Sequence, residues 1–173
     1  MEKIKKAIER SSKALEATPA LGRGTGVSRV RMGEGLACEV EDGKFRLRVD
    51  MPDGLGGGAS APTPGVYGRA ALGSCLAIGY MMRAASLGVP ITSLEVEVQA
   101  DYDDGALLGV GGAPPGYLEV RTIVTVESPA PEADVMRVLD EGDARSPYLD
   151  VFRRAQPCRR EVRIHPPRAR PGS

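Results

Sequence analysis

The chain has 173 residues, a length that suits a single domain with a substantial core. Its 23 Lys and Arg balance 23 Asp and Glu, so no net charge attracts nucleic acid or an anionic membrane surface. With no Trp and only 2 Phe, the core must consist mainly of aliphatic side chains. These features argue against a nucleic-acid binder and favour a globular protein with an aliphatic core.

The cysteines and the N-terminus indicate a reducing compartment. Cys38, Cys75 and Cys158 are odd in number and widely spaced, unlike the cysteines of a secreted disulfide scaffold. Residues 1–6 lead into an amphipathic stretch rather than the continuous apolar segment of a signal peptide. The longest uncharged apolar run, 70–82, is shorter than the ~20 residues of a membrane-spanning helix. We therefore expect a soluble, cytoplasmic protein that does not associate with membranes.

The first half of the chain predicts a helix followed by three strands. Residues 2–17 carry Ile4, Ile8 and Leu15 near helical spacing, which predicts an amphipathic helix that packs on the domain or on a partner subunit. Residues 25–51 alternate between apolar and polar side chains around the turn Asp42-Gly43, and predict three short strands.

A connector and a long apolar helix follow these strands. The Gly- and Pro-rich residues 52–63 lack the motif of a phosphate loop and predict a flexible connector. Thr63 and Pro64 provide the N-cap and first position of a helix that Gly88 ends. Its apolar residues cover nearly every face, which is typical of a helix buried on all sides. A chain this small can bury such a helix by wrapping sheets around it or by pairing with a second subunit.

The second half predicts two long strands, two helices and a closing strand, and the whole order indicates an α+β fold. We expect residues 1–20 to be a helical extension, 21–165 the domain, and 166–173 a disordered tail. The predicted elements are strands at 92–102 and 117–127 joined by a loop at 103–116, a helix at 131–145, a short helix after Ser146-Pro147, and a strand at 158–164.

Thiol chemistry is the chemistry that the sequence leaves open. The single histidine, His165, and the lack of CxxC spacing argue against a metal site and against His-dependent nucleophiles. Cys75 lies in the middle of the apolar helix, where the usual role of a cysteine is that of a small inert apolar residue. Its reactivity would require a cation or hydrogen-bond donor directed at the sulfur. Cys38 is expected in the core and Cys158 at its edge.

Three segments carry a family resemblance. They are Asp50-Met51-Pro52-Asp53-Gly54-Leu55-Gly56-Gly57-Gly58 with Pro62-Thr63-Pro64, then Ala70-Ala71-Leu72-Gly73-Ser74-Cys75-Leu76-Ala77, and Ala144-Arg145-Ser146-Pro147-Tyr148. Together they resemble the OsmC/Ohr family of osmotically inducible and organic-hydroperoxide-resistance proteins, over roughly residues 25–165. The second segment, which resembles the helix of the family's peroxidatic cysteine, is the most specific.

The resemblance implies an intertwined homodimer with antiparallel sheets wrapped around a buried central helix and active sites at the subunit interface. It implies no cofactor. It assigns the peroxidatic role to Cys75, whose thiolate would attack an organic hydroperoxide and become a sulfenic acid. It also implies an activating arginine from the early strands, for which Arg29 and Arg31 are the best candidates and Arg23 a third.

The chain departs from the family pattern at two positions. The glutamate that holds the arginine is replaced by Gly65, unless Glu34, Glu39 or Asp50 substitutes for it. The second cysteine, which condenses with the sulfenic acid, is replaced by Ser146. The sulfenic acid would therefore need an external thiol, or Cys38 or Cys158 brought close by the dimer.

Two functions remain open at this level. One is a thiol-dependent hydroperoxide reductase that uses Cys75 and an external reductant. The other is a protein of the same fold without peroxidase activity, which binds a small apolar or electrophilic ligand or senses redox state. A third, partner-binding role would depend on the N-terminal helix and the basic tail.

Overall fold

The structure, a computed structural model, describes residues 1–166 and has the expected α+β organisation. Short 3-10 turns at Pro19–Gly22 and Asp53–Leu55 supplement the main elements. In chain order these are α1 (Glu2–Ala17), β1 (Arg29–Met32), β2 (Cys38–Asp42), β3 (Phe45–Val49), α2 (Pro64–Leu87), β4 (Ser93–Asp101), α3 (Asp104–Leu107), β5 (Glu119–Glu127), α4 (Glu132–Asp143) and α5 (Pro147–Arg153).

The strands form two separate antiparallel sheets. Strands β1, β2 and β3 make a meander in sequence order, and β4 pairs with β5 along its whole length. The helix α2 packs one face against β4 and α4. The buried residues of this core are Leu72, Leu76, Tyr80, Ala84, Val89 and Val138.

The single chain does not bury α2 on every side, so of the two ways of burying this helix, the described sheets alone do not suffice. Ile78 is 61% exposed, and it lines an apolar surface groove of about 530 Å³ together with Ile4, Met81 and Met82. The apolar face of the first sheet is exposed as well, with Val30 at 60%. The sequence pattern counts apolar residues but does not say whether the covering surface comes from the same chain.

The predicted closing strand at 158–164 is also wrong for the described chain. These residues have no strand partner and are exposed, Ile164 at 89%. Cys158 is exposed too, and does not lie at the edge of the core. Alternating apolar residues favour an extended backbone, but a strand also needs a sheet edge to pair with. Of the expected tail, Pro166 is exposed and 167–173 lie outside the described residues.

The buried carboxylate of Asp50 binds several groups of the connector between β3 and α2, which was predicted to be flexible. Asp50 is 2% exposed, and its Oδ1 accepts the N–H of Met51 at 2.7 Å. Its Oδ2 accepts the N–H of Gly58 at 3.2 Å and, from Ser60, the N–H at 3.0 Å and the hydroxyl at 2.8 Å. These hydrogen bonds, led by those from Ser60, lower the pKa of Asp50 from 3.8 to about 2.

A second contact fixes α2 against α4. The hydroxyl of Tyr80 donates a hydrogen bond to Asp143 Oδ1 at 2.6 Å. Burial, and then this bond to the carboxylate, raise the pKa of Tyr80 well above its usual range. Gly142 lets the tyrosine ring approach α4, since a Cβ at that position would lie 2.5 Å from Tyr80 Cδ1.

We therefore expect Gly142→Ala to lower the free energy of unfolding by about 1–3 kcal/mol, the cost of overpacking a filled site. Urea denaturation measures the change. Gly79→Ala is the matched control, because no atom lies within 4 Å of its Cβ position and alanine favours a helix interior by ~0.5–1 kcal/mol. Equal stability of the two variants would contradict the close packing of Tyr80 on Gly142.

The low pKa of Asp50 predicts a specific acid sensitivity. A carboxyl group with a lowered folded-state pKa contributes stability above its unfolded pKa of 3.8, and this contribution disappears as the pH falls through about 2. Asp50→Asn should be less stable than the wild type at neutral pH. It should also lose less stability than the wild type as the pH falls from 3.8 to about 2. Urea denaturation at several pH values tests this, with Asp53→Asn, an exposed position of the same connector, as the control. Parallel pH profiles for wild type and Asp50→Asn would refute the assignment.

Candidate active site around Cys75

The structure brings Cys75 and Ser146 together, although 71 residues separate them in the chain. Cys75 lies in the middle of α2 and is partly exposed, and its Sγ is 3.5 Å from Ser146 Oγ. Ser146 is the N-cap of α5, where its Oγ accepts the N–H of Leu149 at 3.3 Å. Serine is a favoured cap and Pro147 a favoured first helical residue, so the local sequence places this hydroxyl where α5 meets α2.

This contact joins the two positions that the resemblance assigns to the peroxidatic and second cysteines. Ser146 is 5% exposed, so the contact is sheltered from solvent. A hydroxyl cannot form a disulfide. Cys75 and Ser146 therefore lie close enough to interact, but Ser146 can do so only through hydrogen bonds. Within one chain, Cys75 has no partner thiol here, since all three cysteines are free.

The candidate arginines lie elsewhere. Arg29 and Arg31 are exposed on β1, and their side chains share the charged face of the first sheet because they stand opposite Glu41 and Glu39. Arg31 Nη1 forms an ion pair with Glu41 Oε2 at 3.2 Å. Among the described residues, no hydrogen bond or ion pair joins either arginine to Cys75. Arg23 is exposed and follows the 3-10 turn after α1.

The first turn of α2 carries Gly65 where the resemblance expects the family glutamate, and polar groups of other residues lie near it. The hydroxyl of Tyr117 donates a hydrogen bond to the carbonyl oxygen of Gly65 at 3.0 Å. A Cβ on Gly65 would lie 3.5 Å from Arg69 Nη1 and 3.6 Å from the Tyr117 hydroxyl. Asp50 does not substitute for the glutamate within the described chain, because its carboxylate binds the connector.

A cavity of about 370 Å³ lies near the Cys75–Ser146 pair, and its lining includes neighbours of both residues but neither residue itself. It lies between α2, β5 and α5. Leu72 lines it one helical turn before Cys75, and Leu149, whose N–H binds Ser146, lines it from α5. Phe152 stacks on Tyr117 with ring centroids 6.2 Å apart and forms another wall. The cavity is therefore partly apolar, with Glu119 and Arg153 as charged members of its lining.

The sequence does not predict this cavity, since its walls come from segments far apart in the chain. The apolar alternation of β5 and the position of Phe152 in a short helix were visible, but neither predicts a shared cavity. Cys38 lies in β2 opposite Met32 and Val49, away from this site. Residues 1–166 contain no cluster of three or more His, Cys, Asp or Glu that could hold a metal ion.

Comparison with known proteins places the chain in a family. A model of the family described as OsmC-like protein matches residues 56–160. This segment includes α2 with Cys75 and α5 with its cap Ser146, and it covers more than half of the chain. The chain therefore belongs to the OsmC-like family. A search of curated proteins gives no significant match.

Solved structures share the fold at low identity. An OsmC-like protein from Mycoplasma pneumoniae has a TM-score of 0.63 and 16% identity, over 75% of this chain and 87% of that one. An organic hydroperoxide resistance protein OsmC from Legionella pneumophila has a TM-score of 0.57 and 17% identity, over 75% and 90%. A Vibrio cholerae organic hydroperoxide resistance protein, with captopril bound in one active site, has a TM-score of 0.54 and 13% identity, over 76% and 87%.

Family membership also settles the nature of α2. By length and composition alone, Pro64–Leu87 could cross a membrane. In this α+β fold it is instead the core helix of a soluble OsmC-like protein, with Leu72, Leu76 and Tyr80 buried against β4 and α4.

Proposed function

We propose that the protein is a thiol-dependent peroxidase that reduces small apolar organic hydroperoxides through Cys75 and takes its electrons from an external thiol. The observation that carries this proposal is the sheltered contact between Cys75 Sγ and Ser146 Oγ at 3.5 Å, near a partly apolar cavity. The resemblance assigns Cys75 to the peroxidatic position, and the solved structures of similar fold include organic hydroperoxide resistance proteins. We expect it to work in the cytoplasm, where thiol reductants are plentiful.

The proposed cycle uses one cysteine. The Cys75 thiolate attacks the terminal peroxide oxygen, so that an S–O bond forms, the O–O bond breaks and the alkoxide takes a proton to become an alcohol. Sulfur is oxidised to a sulfenic acid and the hydroperoxide is reduced. An external thiol then condenses with the sulfenic acid to give a mixed disulfide and water. A second thiol releases the reduced Cys75 and leaves as part of an external disulfide.

A homodimer is part of the proposal. The groove beside Ile78 and the face of the first sheet that carries Val30 are apolar surfaces without cover in the single chain. Exposed apolar surface of this kind is typical of subunit contacts. We propose that a second copy covers it, and that the partner's first sheet brings Arg29 or Arg31 to the site.

The second candidate function is a binding or redox-sensing module of the same fold. The replacement of the family glutamate and second cysteine by Gly65 and Ser146 favours it, because both changes remove parts of a fast peroxidase. The Vibrio cholerae protein of similar fold, with captopril bound in one of its active sites, supports small-ligand binding as a function of this fold. Under this alternative, Cys75 would react with an electrophile or an oxidant without rapid turnover.

Substitution of Cys75 tests the main proposal. With dihydrolipoamide or dithiothreitol present, the wild type should consume cumene hydroperoxide, and Cys75→Ser should fall to the rate without protein, since the thiolate is lost. Cys38→Ser and Cys158→Ser are matched controls and should retain activity. Because the nearby cavity is partly apolar, cumene hydroperoxide should be preferred over hydrogen peroxide by at least about tenfold. No turnover by the wild type with either reductant would favour the binding or sensing module.

The arginine proposal makes a separate prediction. If a partner's arginine stabilises the Cys75 thiolate, then Arg29→Ala or Arg31→Ala should lower the second-order rate constant for cumene hydroperoxide by about tenfold, the size of one charge-assisted hydrogen bond. Stopped-flow measurement of sulfenic acid formation gives this rate. Arg46→Ala is the control, because Arg46 shares the same sheet face and also pairs with Glu41. Unchanged rate constants in both Arg29→Ala and Arg31→Ala would exclude these two arginines from the site.

A further inference from the structure

The hydroxyl group of Ser146 has a single proton, and its contacts determine where that proton goes. A serine Oγ offers one O–H donor and two acceptor lone pairs. One lone pair accepts the N–H of Leu149 at 3.3 Å, which caps α5. Among residues 1–166, Cys75 Sγ is the remaining partner of this oxygen, at 3.5 Å. A deprotonated sulfur has no proton to give, and therefore the thiolate can only accept in this contact.

Burial strengthens the contact between the Ser146 hydroxyl and the Cys75 sulfur. Ser146 is 5% exposed, so water does not compete freely for its hydroxyl. The two contacts of the Ser146 hydroxyl oxygen within the described residues are the N–H of Leu149 and the sulfur of Cys75. The backbone on both sides holds it in place, since the N–H of Ser146 binds Asp143 O and the carbonyl of Ser146 accepts from Asp150 N–H.

We propose that Ser146 is a catalytic hydrogen-bond donor that stabilises the Cys75 thiolate and orients it for attack, at the position where the family resemblance places the second cysteine. This inference rests on the proposed function, and it adds a residue to that site. The hydroxyl contributes no electrons and forms no covalent bond with sulfur. The sulfenic acid that forms on Cys75 therefore persists beside Ser146 until an external dithiol condenses with it, releasing water, and then resolves the mixed disulfide.

The same hydroxyl has a structural role as the cap of α5, so the test must separate the two roles. The readout is the pH profile of Cys75 alkylation by iodoacetamide, followed by mass spectrometry, because this profile reports the ionisation of the Cys75 thiol directly. Ser146→Ala removes the donor and should lower the alkylation rate at neutral pH by about tenfold, with the profile displaced to higher pH. Ser146→Thr keeps a hydroxyl for both the cap and the donor, and should restore the wild-type profile. Identical profiles for wild type and Ser146→Ala would overturn the proposal.

Ser146→Cys is the second variant, and it decides the case if Ser146→Ala fails to fold. It introduces a thiol next to Cys75, so one equivalent of cumene hydroperoxide should produce an intramolecular disulfide, observed as the loss of two hydrogen atoms from the intact mass. Wild type under the same conditions should gain one oxygen. If the introduced thiol stays reduced while Cys75 is oxidised, Ser146 does not face the sulfur and the proposal falls.

Failure of this inference is distinguishable from failure of the proposed function. Alkylation requires no hydroperoxide, so a displaced profile in Ser146→Ala would support the donor role even if the wild type lacked peroxidase turnover. Conversely, a wild type that reduces cumene hydroperoxide through Cys75, with the same alkylation profile in Ser146→Ala, would retain the peroxidase and remove Ser146 as its donor.

Discussion

Helix α2 buries Leu72, Leu76 and Tyr80 against β4 and α4, and the positions of Cys75 and Ser146 depend on this contact. The Tyr80–Asp143 hydrogen bond and the absence of a side chain at Gly142 bring α4 close to α2. The chain then leaves α4 at Asp143 and reaches Ser146 within one turn, next to Cys75. The geometry of the candidate site is therefore a consequence of helix packing, and a looser α2–α4 contact would separate the sulfur from the hydroxyl.

Elements with local signals could be predicted from the sequence. The bounds of α2 follow from Thr63-Pro64 at one end and Gly88 at the other, and the structure places the helix at Pro64–Leu87. The break at Ser146-Pro147 is equally local, because the cap and the proline are adjacent. Predictions that needed a distant partner failed in the described chain. Residues 158–164 have the right alternation but pair with no strand in the described chain.

For the candidate site too, the sequence predicts some features and leaves out those that depend on distant segments. The family resemblance assigned roles to Cys75 and, in place of a second cysteine, to Ser146, but spacing alone could not place the two atoms 3.5 Å apart. The cavity combines α2, β5 and α5, so no single stretch of sequence encodes it. The connector was expected to be flexible because glycine and proline dominate it. One buried carboxylate, Asp50, binds several of its groups through hydrogen bonds that composition does not reveal.

The distribution of charge limits how the thiolate can be stabilised. On the first sheet, Val30 stands on one face with Val40 and Leu47, while Arg29 and Arg31 stand on the other. In the proposed dimer, those arginines therefore have to reach Cys75 around the strand edge. Ser146, by contrast, already contacts the sulfur within one chain. A neutral donor stabilises a thiolate less than a cation does, so such a site would react more slowly and hold its sulfenic acid until an external thiol arrives. That balance suits a peroxidase limited by its reductant, and it also explains why the same residues would serve a redox sensor.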